Sequence, residues 1–276
     1  MPTPDTLDLD DVLEVALAAA MEAGAILTEF AGKLSERPDF GGEATWTKSS
    51  KRDLATAADV ASERSIVARI REAYPEHAIE AEEEVCDQGD ARKGPRWFVD
   101  PLDGTINFVH GLPAYCVSIG FYIDGEPAVS VVHLPRLGET FHAIRGQGTF
   151  LNGSRISVSD ASQLSESVLA TGFPYRRGEL KEDNLSNFSG LFYDIRGIRR
   201  MGSAAVDLAY TAAGRLDGYW ELHLSSFDVA GGVLLVREAG GIVTDADGGE
   251  DWLHGGHIIA AGPAVHAALL GRITHE

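Results

Sequence analysis

The sequence is poor in cysteine, in basic residues and in long apolar runs. Its only cysteines, Cys86 and Cys116, do not form a C-x-x-C pair, and two thiols cannot build a disulfide-dense scaffold. Against 42 Asp and Glu stand only 23 Lys and Arg, a formal net charge of −19. Nonspecific nucleic-acid and anionic-membrane binding depend on basic patches, so this balance argues against both partners. An anionic substrate remains compatible, because bound cations invert the local sign of charge. No apolar run approaches membrane-spanning length. The first residues are acidic (Asp5, Asp8, Asp10, Asp11), unlike the basic start of a signal peptide. Repeats, low-complexity tracts and Pro/Ser-rich linkers are also missing. These absences describe a soluble, cytoplasmic chain with neither nucleic acid nor membrane as its partner.

What is present is enough apolar residue, 44% of 276, to bury one large domain or two intimately packed halves. Apolar positions at Leu9, Val12, Leu13, Ala16, Leu17, Ala20, Ile26, Leu27 and Phe30 predict an amphipathic helix over residues 7–31, ended by Gly32. Residues 35–47 read as a loop or hairpin. Residues 48–59 lead into a second helix that runs to Tyr74 and is stopped by Pro75. A short strand over 77–84 runs into Glu82, Glu83 and Glu84, a triplet whose ordinary reading is a solvated run. From Val117 to Arg145 the pattern predicts an antiparallel meander with a turn at Asp124–Gly125. Further strands are expected over 165–170, 194–199 and 216–221, and helices over 180–192, 203–213, 228–239 and 263–272. Strands and helices mix without strict βαβ alternation, which favours layered α/β or α+β. A soft boundary near 146–165 divides the single domain into halves of about 1–150 and 151–276.

The chemistry centres on WFVDPLDGTINF, Trp97 to Phe108. Trp97, Phe98 and Val99 suit a short buried strand. Pro101 then fixes its own φ and biases Asp100 away from helix, so a turn is expected there. Asp100 and Asp103, three residues apart, could grip one cation from two sides, although an acidic surface turn has the same composition. Gly104 allows close backbone approach and Thr105 offers a hydroxyl. A second landmark is SSFDVAGGVLLVREAGG, Ser225 to Gly241. Asp228 begins an apolar helix whose Ala230, Gly231 and Gly232 let its end pack against a crowded site, whereas a plain N-cap would need only the Asp. Glu82, Asp100, Asp103 and Asp228 all fall at predicted ends of elements. Oxygen ligands without His or Cys point to hard cations such as Mg²⁺ rather than Zn²⁺. Carboxylates around more than one Mg²⁺ suit phosphate-ester hydrolysis, in which one ion acidifies water and another stabilises the leaving oxygen.

At this point the chain resembles the inositol monophosphatase family of Mg²⁺-dependent, lithium-sensitive phosphatases. The family's D-P-x-D-G-T-x-N-F stretch reads here as DPLDGTINF (Asp100 to Phe108), and its W-D-x-A-A-G…E-A-G-G signature as FDVAGGVLLVREAGG (Phe227 to Gly241). K-x-x-x-x-D-x-x-T-x-x-D is present from Lys48 to Asp59, and G-S-A-A-x-D-L from Gly202 to Leu208. The resemblance implies a layered α-β-α-β-α sandwich of the sugar-phosphatase type, an α+β fold with mixed, mainly antiparallel sheets. It implies that Glu82, Asp100 and the Leu102 carbonyl hold a first Mg²⁺, and that Asp100, Asp103 and Asp228 hold a second. Glu82 would also touch a third, weaker ion. Thr105, hydrogen-bonded to Asp59, would orient the attacking water, with Gly104 and Thr105 N–H groups on the phosphate. Asp103, Ser203, Ala204 and Glu221 match positions that meet substrate hydroxyls, and a homodimer is implied.

Two departures from the family pattern leave every ligand in place: Ala81 stands where Gly is usual, and Phe227 where Trp is usual. Glu221, seven residues before Asp228, leans the substrate toward myo-inositol 1-phosphate. Related esters are histidinol phosphate, fructose 1,6-bisphosphate and 3′-phosphoadenosine 5′-phosphate. Arg176, Arg177, Arg196, Arg199 and Arg200 would serve a second phosphate, or else lie on solvated surface. A haloacid-dehalogenase-type phosphatase would need D-x-D-G-T, and the three-residue spacing here speaks against it. A non-catalytic binding protein of the same fold is the remaining alternative.

Overall fold

A computed structural model describes residues 7–35, 45–47, 54–90 and 92–275. In chain order it contains α1 (Leu9–Ser35), β1 (Thr45–Thr47), β2 (Leu54–Thr56), α2 (Ala57–Ala73), β3 (Ala78–Ala81), β4 (Pro95–Asp103), α3 (Thr105–Val109), β5 (Cys116–Ile123), β6 (Glu126–Leu134), β7 (Glu139–Ile144), β8 (Gly148–Leu151) and β9 (Ser154–Ile156). There follow β10 (Val168–Thr171), α4 (Leu185–Leu191), β11 (Gly197–Arg199), α5 (Ala204–Ala212), β12 (Gly218–Leu222), α6 (Ser226–Glu238), β13 (Ile242–Thr244), β14 (His257–Ala261) and α7 (Pro263–Leu270).

Strands β3 to β9 form a seven-stranded sheet in sequence order, parallel only at β3–β4. A five-stranded sheet has the order β11-β10-β12-β14-β13, with parallel pairs at β10–β11 and β10–β12. Helices α1 and α2 cover one face of the larger sheet. Helices α5 and α6 lie between the sheets, and α4 and α7 pack on the outer side of the smaller one. The result is the expected α-β-α-β-α layering. No described helix is long and apolar enough to cross a membrane.

The alternation of β4 explains why its apolar run is continuous. Trp97 and Val99 join the core beneath α1 and α2, while Phe98 joins the core around α5 and α6. A strand covered on both faces has no reason to alternate with polar residues. Burying each of these side chains contributes about 1.5–3 kcal/mol.

The structure departs from the sequence reading at several points. The first helix does not stop at Gly32; it continues to Ser35. One glycine costs a helix only about 1 kcal/mol, and a Glu29–Lys33 pair at 2.6 Å spans it. Pro101 does not turn the chain out of the sheet. Asp100 pairs with Ser118 and Asp103 with Cys116, so Pro101 and Leu102 together oppose Val117 in a β-bulge, a position where a missing N–H is tolerated. Strands β8, β9, β13 and β14 were not anticipated. Between residues 35 and 47 only β1 falls among the described residues, and Lys48 lies outside them.

A candidate carboxylate-lined active site

Three separate elements bring four carboxylates together at one end of the large sheet. Strands β3 and β4 run parallel with Ala81 beside Val99, and Glu82 N–H donates to the Val99 carbonyl at 3.2 Å. The next residues, Glu82 and Asp100, therefore emerge together from neighbouring strand ends, where parallel strands present their sites. The bulge carries Asp103 onward to the N-terminus of α5. There Asp103 Oδ2 accepts from Ser203 Oγ and from Ala205 N–H, each at 2.7 Å. Such charge-assisted bonds contribute about 1.5–3 kcal/mol each.

Asp228 arrives on α6, and glycines set how closely that helix approaches. A Cβ on Gly231 would lie 2.2 Å from Ser118 Oγ, and one on Gly232 2.5 Å from Leu208 Cβ. On the facing strand, a Cβ on Gly120 would lie 2.6 Å from the Ala230 carbonyl oxygen. Only hydrogen fits at these contacts, so α6 lies directly on β5, whose Ser118 pairs with Asp100. Asp228 Oδ2 accepts from Ser225 N–H at 2.7 Å in a capping box. The hydrogen bonds given to Asp103 and Asp228 by described residues all fall on Oδ2.

A cleft of about 550 Å³ reaches Glu82, Asp103, Ser203, Ala204, Glu221 and Asp228. Asp59, Asp100, Leu102 and Thr105 lie buried behind it. Gly104, with φ of +93°, sits where a Cβ would approach the Ala114 carbonyl oxygen to 2.9 Å, so both its conformation and its space demand glycine. Thr105 Oγ1 is 3.1 Å from Asp59 Oδ1 and 3.1 Å from the Leu102 carbonyl. Its single proton is available to either acceptor. The other oxygen of Asp59 is occupied at the start of α2, where it accepts from Thr56 N–H at 2.8 Å and Thr56 Oγ1 at 2.6 Å.

The Ser203 hydroxyl lines the cleft, donates to Asp103 and accepts from Val206 N–H at 3.3 Å. Glu221 Oε2 accepts from the buried Tyr219 hydroxyl at 2.7 Å. A Cβ on Gly172 would lie 2.0 Å from that carboxylate, so Gly172 makes room for it. Sequence reasoning missed Gly172 and Tyr219, and also Ser62 and Glu63 on α2. The last two follow Asp59 at helical i+3 and i+4 spacing, which puts them on the same face of α2.

The electrostatics follow from crowding. Burial, followed by the charges of Glu82, Asp103 and Asp228, pushes the Asp100 carboxyl well above its ordinary range. Burial likewise raises Asp228, with Glu82 and Asp103 adding to it. Asp103 is raised by burial to about 7, against the Ser203 and Ala205 donors. Among the described residues no three His, Cys, Asp or Glu side chains stand as a ready-made metal cage. Asp100 and Glu82 hydrogen-bond to each other, which sets their carboxyl groups side by side. The donor set is all oxygen, and burial together with neighbouring carboxylates raises Asp100 and Asp228, the repulsion a divalent cation would relieve. That chemistry fits Mg²⁺.

Comparison with known proteins identifies the family. A family model described as "Inositol monophosphatase family" matches residues 8–276. A relative from Pseudomonas aeruginosa, named Nus factor SuhB, is 42% identical over 270 residues and 96% of each chain. An inositol monophosphatase structure from Anabaena superposes with a TM-score of 0.85 at 40% identity, covering 96% of both chains. The extragenic suppressor protein SuhB of Bartonella henselae gives 0.86 at 37% identity, covering 95% of this chain and 98% of that one. The chain belongs to the inositol monophosphatase family.

Proposed function

We propose that this protein is a Mg²⁺-dependent phosphomonoesterase that hydrolyses myo-inositol 1-phosphate by attack of water. The observation that carries this reading is the convergence of Asp100, Asp103 and Asp228 with Glu82 beside the Thr105–Asp59 pair. Glu82, Asp100, the Leu102 carbonyl, Asp103 and Asp228 are the residues that would hold two or three ions. Bound Mg²⁺ would supply a more acidic water and charge stabilisation for the departing oxygen.

The remaining steps belong to the chain. Asp59 holds the Thr105 hydroxyl so that its oxygen accepts a proton-bearing contact from the attacking water, which fixes the line of attack. Gly104 and Thr105 N–H groups serve the phosphate oxygens. Glu221, held by Tyr219, accepts from hydroxyls of the cyclitol, and Asp103, Ser203 and Ala204 meet its other hydroxyls from the cleft wall. The net charge of −19 disfavours nucleic-acid and membrane surfaces as direct partners. A homodimer in the cytoplasm completes the proposal.

Histidinol phosphate, fructose 1,6-bisphosphate and 3′-phosphoadenosine 5′-phosphate are the competing esters. The name Nus factor SuhB, carried by several relatives, supports a second reading in which the fold acts as a binding protein. The carboxylate set weighs toward catalysis. Asp228→Asn tests this: it keeps an oxygen for the Ser225 cap and removes the charge. Turnover should vanish while the unfolding transition stays cooperative; undiminished turnover would contradict the assignment.

A further inference from the structure

Helix α2 presents three buried polar side chains, Asp59, Ser62 and Glu63, at i, i+3 and i+4 on one face. Asp59 reaches the Thr105 hydroxyl. Ser62 Oγ donates to the Pro101 carbonyl at 2.8 Å, which pins the bulge between the two β4 aspartates. Glu63 has no accessible surface and gathers three backbone donors. Its Oε2 accepts from Glu83 N–H at 2.7 Å, and its Oε1 from Glu84 N–H at 2.7 Å and Val85 N–H at 3.0 Å.

A carboxylate shut away from water is unfavourable unless donors replace its hydration, and here three do. Those donors immediately follow Glu82, so they fix the path by which the chain leaves β3 and thereby where the Glu82 side chain stands. An apolar side chain of similar volume at position 63 would fill the space but leave three N–H groups unpaired. A bidentate Arg64–Glu84 pair, at 2.8 and 2.7 Å, holds the same turn from its solvent side. Being exposed, that pair contributes little by itself.

We propose that Glu63 is a positioning residue for the metal-binding carboxylates: by gathering the N–H groups of Glu83, Glu84 and Val85 it holds Glu82 against Asp100 and sets the affinity for divalent cations. The inference rests on the metal-dependent reading above. It makes α2 the plate on which the Thr105 hydroxyl, the Pro101 bulge and the Glu82 carboxylate are mounted. Residues that orient metal ligands typically govern affinity by about 10–100-fold, and Glu63 acts through the backbone of the ligand's own turn.

The test is Mn²⁺ binding by titration calorimetry on the full chain, wild type against Glu63→Gln, with thermal unfolding followed in chelator. Gln keeps the volume and one acceptor oxygen but turns an NH₂ toward the N–H donors. Mn²⁺ affinity should fall by about 10–100-fold, and excess Mg²⁺ should recover turnover. Glu63→Ala, which leaves all three donors unpaired, should fall further. Unchanged affinity in folded Glu63→Gln overturns the proposal. So does failure of both variants to fold, which would make Glu63 a residue of stability alone. A wild-type chain that binds no Mn²⁺ overturns the metal reading itself, and this inference with it.

Discussion

Thr105 Oγ1 and Asp59 Oδ1 meet at 3.1 Å across 46 positions of sequence, one at the start of α3 and the other in the first turn of α2. Asp59 is wholly buried, and its other oxygen is fixed by Thr56. The hydroxyl is therefore aimed before any substrate arrives. Thr105→Ala should lower kcat by about 10²–10⁴-fold, the usual value of a positioned proton-transfer group. The lost hydrogen bond should cost only about 1 kcal/mol of stability. Steady-state kinetics beside denaturant unfolding separate the two effects.

Gly172 makes a sharper test of substrate choice. A methyl group there would overlap the Glu221 carboxylate at 2.0 Å, so Gly172→Ala must displace Glu221 while leaving Asp100, Asp103 and Asp228 in place. The expected outcome is a fall of about tenfold or more in kcat/KM for inositol 1-phosphate. Mg²⁺ dependence should be unchanged, and a simple aryl phosphate should be hydrolysed nearly as before.

Arg176 and Arg200 line the cleft and lie exposed, with the Arg200 charge acting on Glu221 and Asp207. A substrate with a second phosphate would use them. Arg200→Ala should raise KM for fructose 1,6-bisphosphate by about tenfold, about 1.4 kcal/mol of binding. For inositol 1-phosphate the same change should stay within about threefold. Equal effects on both esters would place Arg200 elsewhere in the mechanism.

The crowded carboxylates also predict a pH dependence. Burial pushes the Asp103 carboxyl up from its ordinary 3.8 to about 7, and Asp100 and Asp228 are raised in the same direction. Between those values the folded state holds protons that the unfolded state has released. The associated stability is full below the ordinary carboxylate range and is lost as pH rises through about 7. Cations compete with those protons, so the Mg²⁺-induced rise in Tm should be larger at about pH 8 than at about pH 6. Differential scanning calorimetry in chelator and in Mg²⁺ measures both slopes.

How much of this was legible in the sequence depends on how local each signal was. DPLDGT and FDVAGG are short, so their acids could be picked out as candidate ligands before any strand was placed. The crowding role of Gly231 and Gly232 was visible as an absence of side chain. Pro101 was misread because its local preference is for a turn, whereas pairing across β5 accommodates it as a bulge. Glu63 looked like any helix-face acid because its three partners lie 20–22 positions away. The Glu82–Glu84 run looked solvated for the same reason. The Glu83 and Glu84 N–H groups are turned inward onto Glu63, and a composition of acids carries no trace of that.

The central claim is metal-dependent ester hydrolysis, and phosphate release tests it most directly. Inositol 1-phosphate, fructose 1,6-bisphosphate, histidinol phosphate and 3′-phosphoadenosine 5′-phosphate would be compared by kcat/KM with Mg²⁺ and with chelator. The carboxylate geometry predicts turnover that requires Mg²⁺, and the Glu221–Tyr219 pair predicts that inositol 1-phosphate leads the panel. Another ester leading would preserve the metal chemistry and move specificity to the arginine wall. Absence of Mg²⁺-dependent release from all four would contradict the enzymatic account.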